Sequence, residues 1–369
     1  MKYVRMPIEI ESPEQMGYDK LRCNLTESSF ADTKLGELDL NLNDLVLCYG
    51  DHLGKRELRE LIANEAGGGT GPDDVMMTPG AAGALFMIHT AMLSPGDRLL
   101  VVRPNYGTNI ETPRAIGAQI DFLELTFEER YALTAEHISR ALKKDTKLVS
   151  ITYPHNPTGV MISEDEMKKI VKVIEDHGCT LLVDETYREM AYGKIPPMAA
   201  SLSQKVLSVS SVSKTYGLPG VRMGWIICRD AKFMEKLLAA KEQIVICNSI
   251  LDEEVTYRAL VKKNQILPPI KEKISKHFEI VRTWFSKQSH LEWIEPTGGV
   301  VCFPRIKATS RVDVEKFYKI LNEKYGTFVG PGHWFEQDRR SMRVGFGWPK
   351  TPELIEGLDA ISKALEESR

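Results

Sequence analysis

Residues 206–228 read VLSVSSVSKTYGLPGVRMGWIIC. An apolar, β-branched run stops at Ser211-Val212-Ser213-Lys214. Eight residues after the lysine, Arg222 stands among glycines and opens a second apolar run. Two strands therefore meet at one place, with a lysine, small polar residues and an arginine at their junction. A lysine at a strand end in apolar surroundings is costly to hold unless it is paired or used covalently.

Working outward, short apolar runs alternate with helical patterns from about residue 54 to 230. RLLVVRP, QIDFLEL, KLVSITY, CTLLVDE and KVLSVSS read as strands. RELRELIANEA, AAGALFMIHTAML and EDEMKKIVKVIEDHG have the spacing of amphipathic helices. Alternation of this kind predicts a mainly parallel sheet covered by helices on both faces. A helical region is expected over 230–288, broken near ILPP at 266–269. HLEWIEP and GGVVCFPRI read as strands paired around a turn, and the helical patterns DVEKFYKILNEKYG and PELIEGLDAISKALEE follow. The expected organisation is an N-terminal segment (1–45) joining a small domain, a large α/β domain (46–275) and a smaller α+β domain (276–369).

The 369 residues suit two domains. A formal charge of −3 carries no basic excess for nucleic acid or a membrane surface. No apolar run approaches the ~18 residues of a membrane span. Six scattered cysteines with no CxxC pair read as buried free thiols in a reducing compartment, and no metal set is expected. The expected location is cytoplasmic. GDHLGKR at 50–56 imitates a P-loop but has three residues between its glycines and Arg56 in place of Ser/Thr.

In a parallel sheet the residues just past the strand ends gather along one edge, where open α/β sheets bind ligands. Here that edge collects Tyr106, Asn156, Asp184, Tyr187 and Lys214. An amine, a carboxylate, an aromatic ring and an amide fit the demands of pyridoxal phosphate. The amine forms a Schiff base to its aldehyde, and a carboxylate keeps its pyridine nitrogen protonated. Cations and backbone N–H groups take its phosphate.

The ordered motifs HNPTG (155–159), DETY (184–187), SVSK (211–214) with Arg222, and MRVGF (342–346) carry a resemblance. Asn156 and Asp184 are 28 residues apart, and Asp184 and Lys214 are 30 apart. From about Tyr49 to the C-terminal helix the chain resembles fold-type I pyridoxal-phosphate enzymes of the aspartate aminotransferase superfamily, class I/II. The resemblance implies that Lys214 carries the cofactor and shuttles the substrate proton, with Asp184 on the pyridinium. Asn156 and Tyr187 would bond the phenolic oxygen, and Tyr106 would stack on the ring. Gly80, Ala81, Ala82, Ser211 and Arg222 would hold the phosphate, and Arg343 the substrate carboxylate. It further implies a homodimer with the active site at the subunit interface, Tyr49 reaching the neighbour's phosphate. The partners implied are a small amino acid and a 2-oxo acid.

One segment departs from the pattern. NLTESSF places Glu27 where a small residue is usual. With SKTYGLPGVRMGW it resembles a branch that includes capreomycidine synthase, a cyclase acting on a modified arginine. Glu27 then faces a cationic side chain, or it is an exposed loop acid. The residues serve equally an aminotransferase or a pyridoxal-phosphate lyase, cyclase or oxidase.

Overall fold

The computed structural model describes residues 1–38 and 40–369. A seven-stranded sheet runs in the spatial order Val75–Pro79, Met223–Cys228, Val206–Ser211, Thr180–Asp184, Thr146–Thr152, Arg98–Arg103, Gln119–Glu124. Met223–Cys228 is its one antiparallel member, so the sheet is mainly parallel. Two neighbouring inner strands, Val206–Ser211 and Met223–Cys228, are buried along their whole length. Covered on both faces, they read as continuous apolar runs with small serines instead of alternating. Edge strand Gln119–Glu124 is half-exposed and ends in polar residues, which discourages pairing with another chain.

The helices start and stop on local signals. Ser163 Oγ accepts from Glu166 N at the start of Glu164–His177, and Gly178 closes it in the left-handed conformation, φ 84°.

A second sheet has the order Cys23–Leu25, Thr327–Pro331, Met342–Gly345, Val301–Cys302. Cys23–Leu25 lies parallel to Thr327–Pro331, so the N-terminal residues build the same sheet as the C-terminal ones. Its core includes Leu25, Ile274, Phe317, Val344, Phe346 and Leu358. Together the two sheets form the large and small units of a fold-type I arrangement. Among the described residues no helix is long and apolar enough to cross a membrane.

Three expectations are corrected. Helix Lys263–Phe285 runs unbroken through Pro268 and Pro269, and the interruptions of the region fall at 243–249 and at Lys262 instead. Leu267 and Ile270 on either side of the prolines are buried, so packing holds the helix where local preference opposes it. HLEWIEP and GGVVCFPRI do pair as antiparallel strands, but only at their outer ends. Leu291–Glu292 pairs with Arg305–Ile306, whereas Val301–Cys302 pairs with Met342–Gly345 in the other sheet. Of the cysteines, Cys48 is exposed and Cys247 half-buried, while the other four are buried.

Candidate active site

Register fixes which residues meet. Thr152 stands opposite Asp184, Asp184 opposite Val209, and Ser211 opposite Gly224. The C-terminal ends of four parallel strands thus lie along one edge, and Arg222 enters that edge just before the antiparallel strand. A cavity of about 430 Å³ opens there, also lined from the small sheet by Arg343. Ala81, Ala82, Tyr106, Asn156, Asp184, Tyr187, Ser211, Lys214, Arg222, Arg343 and Glu27 all line it. Gly80 lies beside it against Arg222. Tyr49 does not: it is 81% exposed and outside the cavity.

Asp184 is buried and accepts from Thr186 Oγ1 (2.6 Å) and Thr186 N (3.1 Å). Burial pushes its carboxyl above the usual range; the Thr186 bonds and then Lys214 oppose this more weakly. Among the described residues no cation lies within ion-pair distance of it, so the site supplies a buried carboxyl group that lacks a bonded positive partner. Lys214 is half-buried, and its Nζ makes no ion pair or hydrogen bond among the described residues. Tyr187 is buried and donates to Ser28 Oγ at 2.9 Å, with its hydroxyl pushed up to about 12 by burial.

Arg343 is 4% exposed. Its Nη1 donates to Asn156 Oδ1 (3.1 Å) and its Nη2 to the Thr26 carbonyl (2.7 Å), while Nε has no partner. Burial pulls this guanidinium below its ordinary value, which marks the cost of a buried charge without a carboxylate.

The other cationic end is built around two glycines. Helix Gly80–Met92 begins with no side-chain cap, leaving its first N–H groups free to meet an anion. A Cβ on Gly80 would lie 2.6 Å from Arg222 Nη2, and one on Gly224 would lie 2.7 Å from Ala81 N. Only glycines let the helix start, the strand and the guanidinium approach so closely. Arg222 itself is left-handed (φ 52°) and donates to the Pro219 carbonyl at 2.9 Å. Ser211 lines the same cavity, and this set of donors could hold a phosphate. The donor set therefore fits pyridoxal phosphate: an amine, a buried carboxylate, an aromatic ring and a phosphate cradle share one cavity.

Several positioning roles escaped sequence reading. His155 accepts at Nδ1 from Thr158 Oγ1 (2.7 Å) and donates from Nε2 to the Pro104 carbonyl (2.9 Å), tying two strand-end loops together. Asn105 Oδ1 receives Thr152 Oγ1 and Tyr106 N, which fixes the loop carrying the aromatic ring. Thr186 was recoverable, because Asp-x-Thr is a common self-bonding turn. Ser28 had no local signal.

The match to a sequence model of known families decides kinship. The model of class I and II aminotransferases matches residues 25–361. The chain belongs to the class I and II aminotransferase family. Capreomycidine synthase of Streptomyces vinaceus is 30% identical to this family member over 327 residues, 88% of the chain and 82% of the relative. The aspartate aminotransferase of Thermococcus kodakarensis is 28% identical, covering 85% and 79%. A PLP-dependent aminotransferase structure from Streptococcus suis superposes with TM-score 0.91 at 25% identity, covering 100% of this chain and 99% of that one. The PLP-dependent cyclase OrfR has the same fold, with TM-score 0.90, 22% identity and the same coverage.

Proposed function

We propose that this family member is a pyridoxal-phosphate-dependent aminotransferase that moves an amino group between an L-amino acid and a 2-oxo acid. The observation that carries the reading is the sharing of one cavity by an unpaired lysine, a buried carboxylate and a buried arginine with a free donor edge. Pyridoxal phosphate, when bound, supplies an aldehyde carbon and an electron-withdrawing ring.

The protein's residues do the rest. Arg222, Ser211 and the free N–H groups of Ala81 and Ala82 hold the phosphate. Asp184, fixed by Thr186, keeps the ring nitrogen protonated, and in return its own carboxyl gains the cation it lacks. Tyr106 covers the ring, while Tyr187 and Asn156 bond its phenolic oxygen. Arg343 binds the substrate α-carboxylate through its free edge and so orients the Cα–H bond. The Lys214 amine takes the Cα proton and returns it at the cofactor carbon.

A second copy of the chain supports the site. Val46, Leu47 and Tyr49 are exposed at 71%, 71% and 81%, an apolar run that a homodimer would cover. On this reading Tyr49 reaches the partner's phosphate.

The relative capreomycidine synthase favours a second reading, a lyase or cyclase on the same residues. Mixing the cofactor-loaded protein with an amino acid, then adding 2-oxoglutarate or pyruvate, separates the two. For transfer, the visible band bleaches stoichiometrically and returns only with the oxo acid. Unaided recovery with ammonia or a cyclic product establishes the second reading.

A further inference from the structure

Tyr187 and Ser28 bring two hydroxyls to one hydrogen bond. Both residues are buried, and both line the cavity. Among the described residues each hydroxyl has the other as its one hydrogen-bond partner, at 2.9 Å. A hydroxyl carries one proton and two acceptor positions. The pair therefore holds two protons for one bond, and one O–H is left over. Either Tyr187 donates and the Ser28 O–H is free, or Ser28 donates and the Tyr187 O–H is free. A buried O–H without an acceptor is costly, so the pair is completed by an oxygen that enters the cavity.

Ser28 is built into this place. Strand Cys23–Leu25, held beside Thr327–Pro331, leads into it. On one side of Ser28 the Thr26 carbonyl accepts from Arg343 Nη2 at 2.7 Å, and on the other Phe30 N donates to the Lys214 carbonyl at 3.0 Å. The backbone between them lies against two glycines of the small sheet and the loop after it. A Cβ on Gly345 would overlap the Glu27 carbonyl oxygen, and one on Gly347 would lie 2.8 Å from the Ser29 carbonyl oxygen. Bonds to two residues of the site and this close backbone packing fix Ser28. Its oxygen stays at Tyr187 whichever proton makes the bond.

We infer that Ser28 is a positioning residue for the cofactor that acts through Tyr187: as Tyr187 turns its proton to the phenolic oxygen, Ser28 turns its own proton to Tyr187 Oη. Only hydrogen bonds are exchanged, and each proton stays on its own oxygen. A hydroxyl that accepts a hydrogen bond becomes a stronger donor, so Ser28 strengthens the hold of Tyr187 on that oxygen. The inference deepens the reading proposed above and rests on it for the place of the phenolic oxygen beside Tyr187 and Asn156.

The test is a pH titration of the visible band of the pyridoxal-phosphate-loaded protein, without amino acid. A phenolic oxygen that loses donor strength holds a proton more tightly, so the midpoint of the titration rises. Tyr187→Phe should raise it by about one unit and Ser28→Ala by about 0.3–0.7 unit. Ser28→Gly should match Ser28→Ala, because the hydroxyl and not the packing sets the effect. In the double variant Ser28→Ala/Tyr187→Phe the shift should equal that of Tyr187→Phe alone. The charged groups acting on Tyr187 are Arg343, Asp184 and Glu27, and all the variants keep them. A Ser28→Ala midpoint within about 0.1 unit of wild type, or shifts that add in the double variant, overturn the inference. A Tyr187→Phe midpoint that does not move overturns it together with the placing of Tyr187 at the phenolic oxygen, and a protein that stays colourless overturns it together with the cofactor. The expected midpoints in a protein that makes ammonia or a cyclic product leave Ser28 standing and remove the transfer reading. Amino transfer with an unmoved Ser28→Ala midpoint does the reverse.

Discussion

Arg343 Nη1 donates to Asn156 Oδ1 across 3.1 Å, a contact between the small sheet and the loop after strand Thr146–Thr152 of the large one. One bond thus joins the residue proposed for the substrate carboxylate to the residue proposed for the ring oxygen. Arg343→Ala should lower kcat/KM by about 30- to 1000-fold, or ~2–4 kcal/mol. Arg343→Lys should rescue little, because an ammonium lacks the planar fork. Cofactor absorbance should persist in both. Near wild-type kcat/KM in the alanine variant would remove Arg343 from substrate binding.

Lys214 gives the most direct test of the cofactor. The protein incubated with pyridoxal phosphate should turn yellow, and borohydride should remove the band and leave the label on the Lys214 peptide. Lys214→Ala should retain cofactor noncovalently and should not turn over. A protein that stays colourless with added cofactor would sink the reading.

For Asp184 the informative change is Asp184→Asn, which preserves the shape bonded by Thr186 and removes the charge. Loss of one partner of a buried ion pair costs ~3 kcal/mol or more, so kcat should drop by roughly 100-fold. Circular dichroism and thermal unfolding should show the fold intact. A kcat within a factor of about three of wild type would place the charge elsewhere.

His155 predicts a pH effect on stability. Burial pulls its ring down to about 4 in the folded chain, against about 6.5 unfolded. The neutral ring's stabilisation is full above pH ~6.5 and is lost as pH falls toward ~4, because the unfolded state then binds the extra proton. Denaturant unfolding of wild type and His155→Gln should therefore differ less at pH 4.5 than at pH 7, the gap narrowing by about 2–3 kcal/mol. A gap independent of pH would mean that the His155 ring binds protons equally when folded and unfolded.

Tyr49 tests the second copy. Light scattering should give a dimer, and Val46→Glu/Leu47→Glu should weaken it. Tyr49→Phe should loosen cofactor binding about tenfold, ~1.4 kcal/mol, while leaving the dimer intact. An unchanged cofactor affinity would leave Tyr49 as interface surface only.

The sequence by itself determined the large sheet and most of the inner site. Strands buried on both faces declare themselves as apolar runs, and the parallel order then forces Asp184 and the Ser211–Lys214 turn to one edge. Only the tertiary structure decided the rest, because it depends on contacts between distant segments. Helix Lys263–Phe285 passes Pro268 and Pro269 because buried Leu267 and Ile270 outweigh the local penalty. Val301–Cys302 leaves the neighbouring strand pair to join Met342–Gly345, a choice that local pattern does not encode. Glu27 read alone is a loop acid. Strand Cys23–Leu25, inserted beside Thr327–Pro331, carries it into the cavity with Ser28, while Asp32 and Trp348 meet there from opposite ends of the chain. Residues brought together by non-local pairing leave no periodic trace in either segment, since each segment alone satisfies only its own backbone.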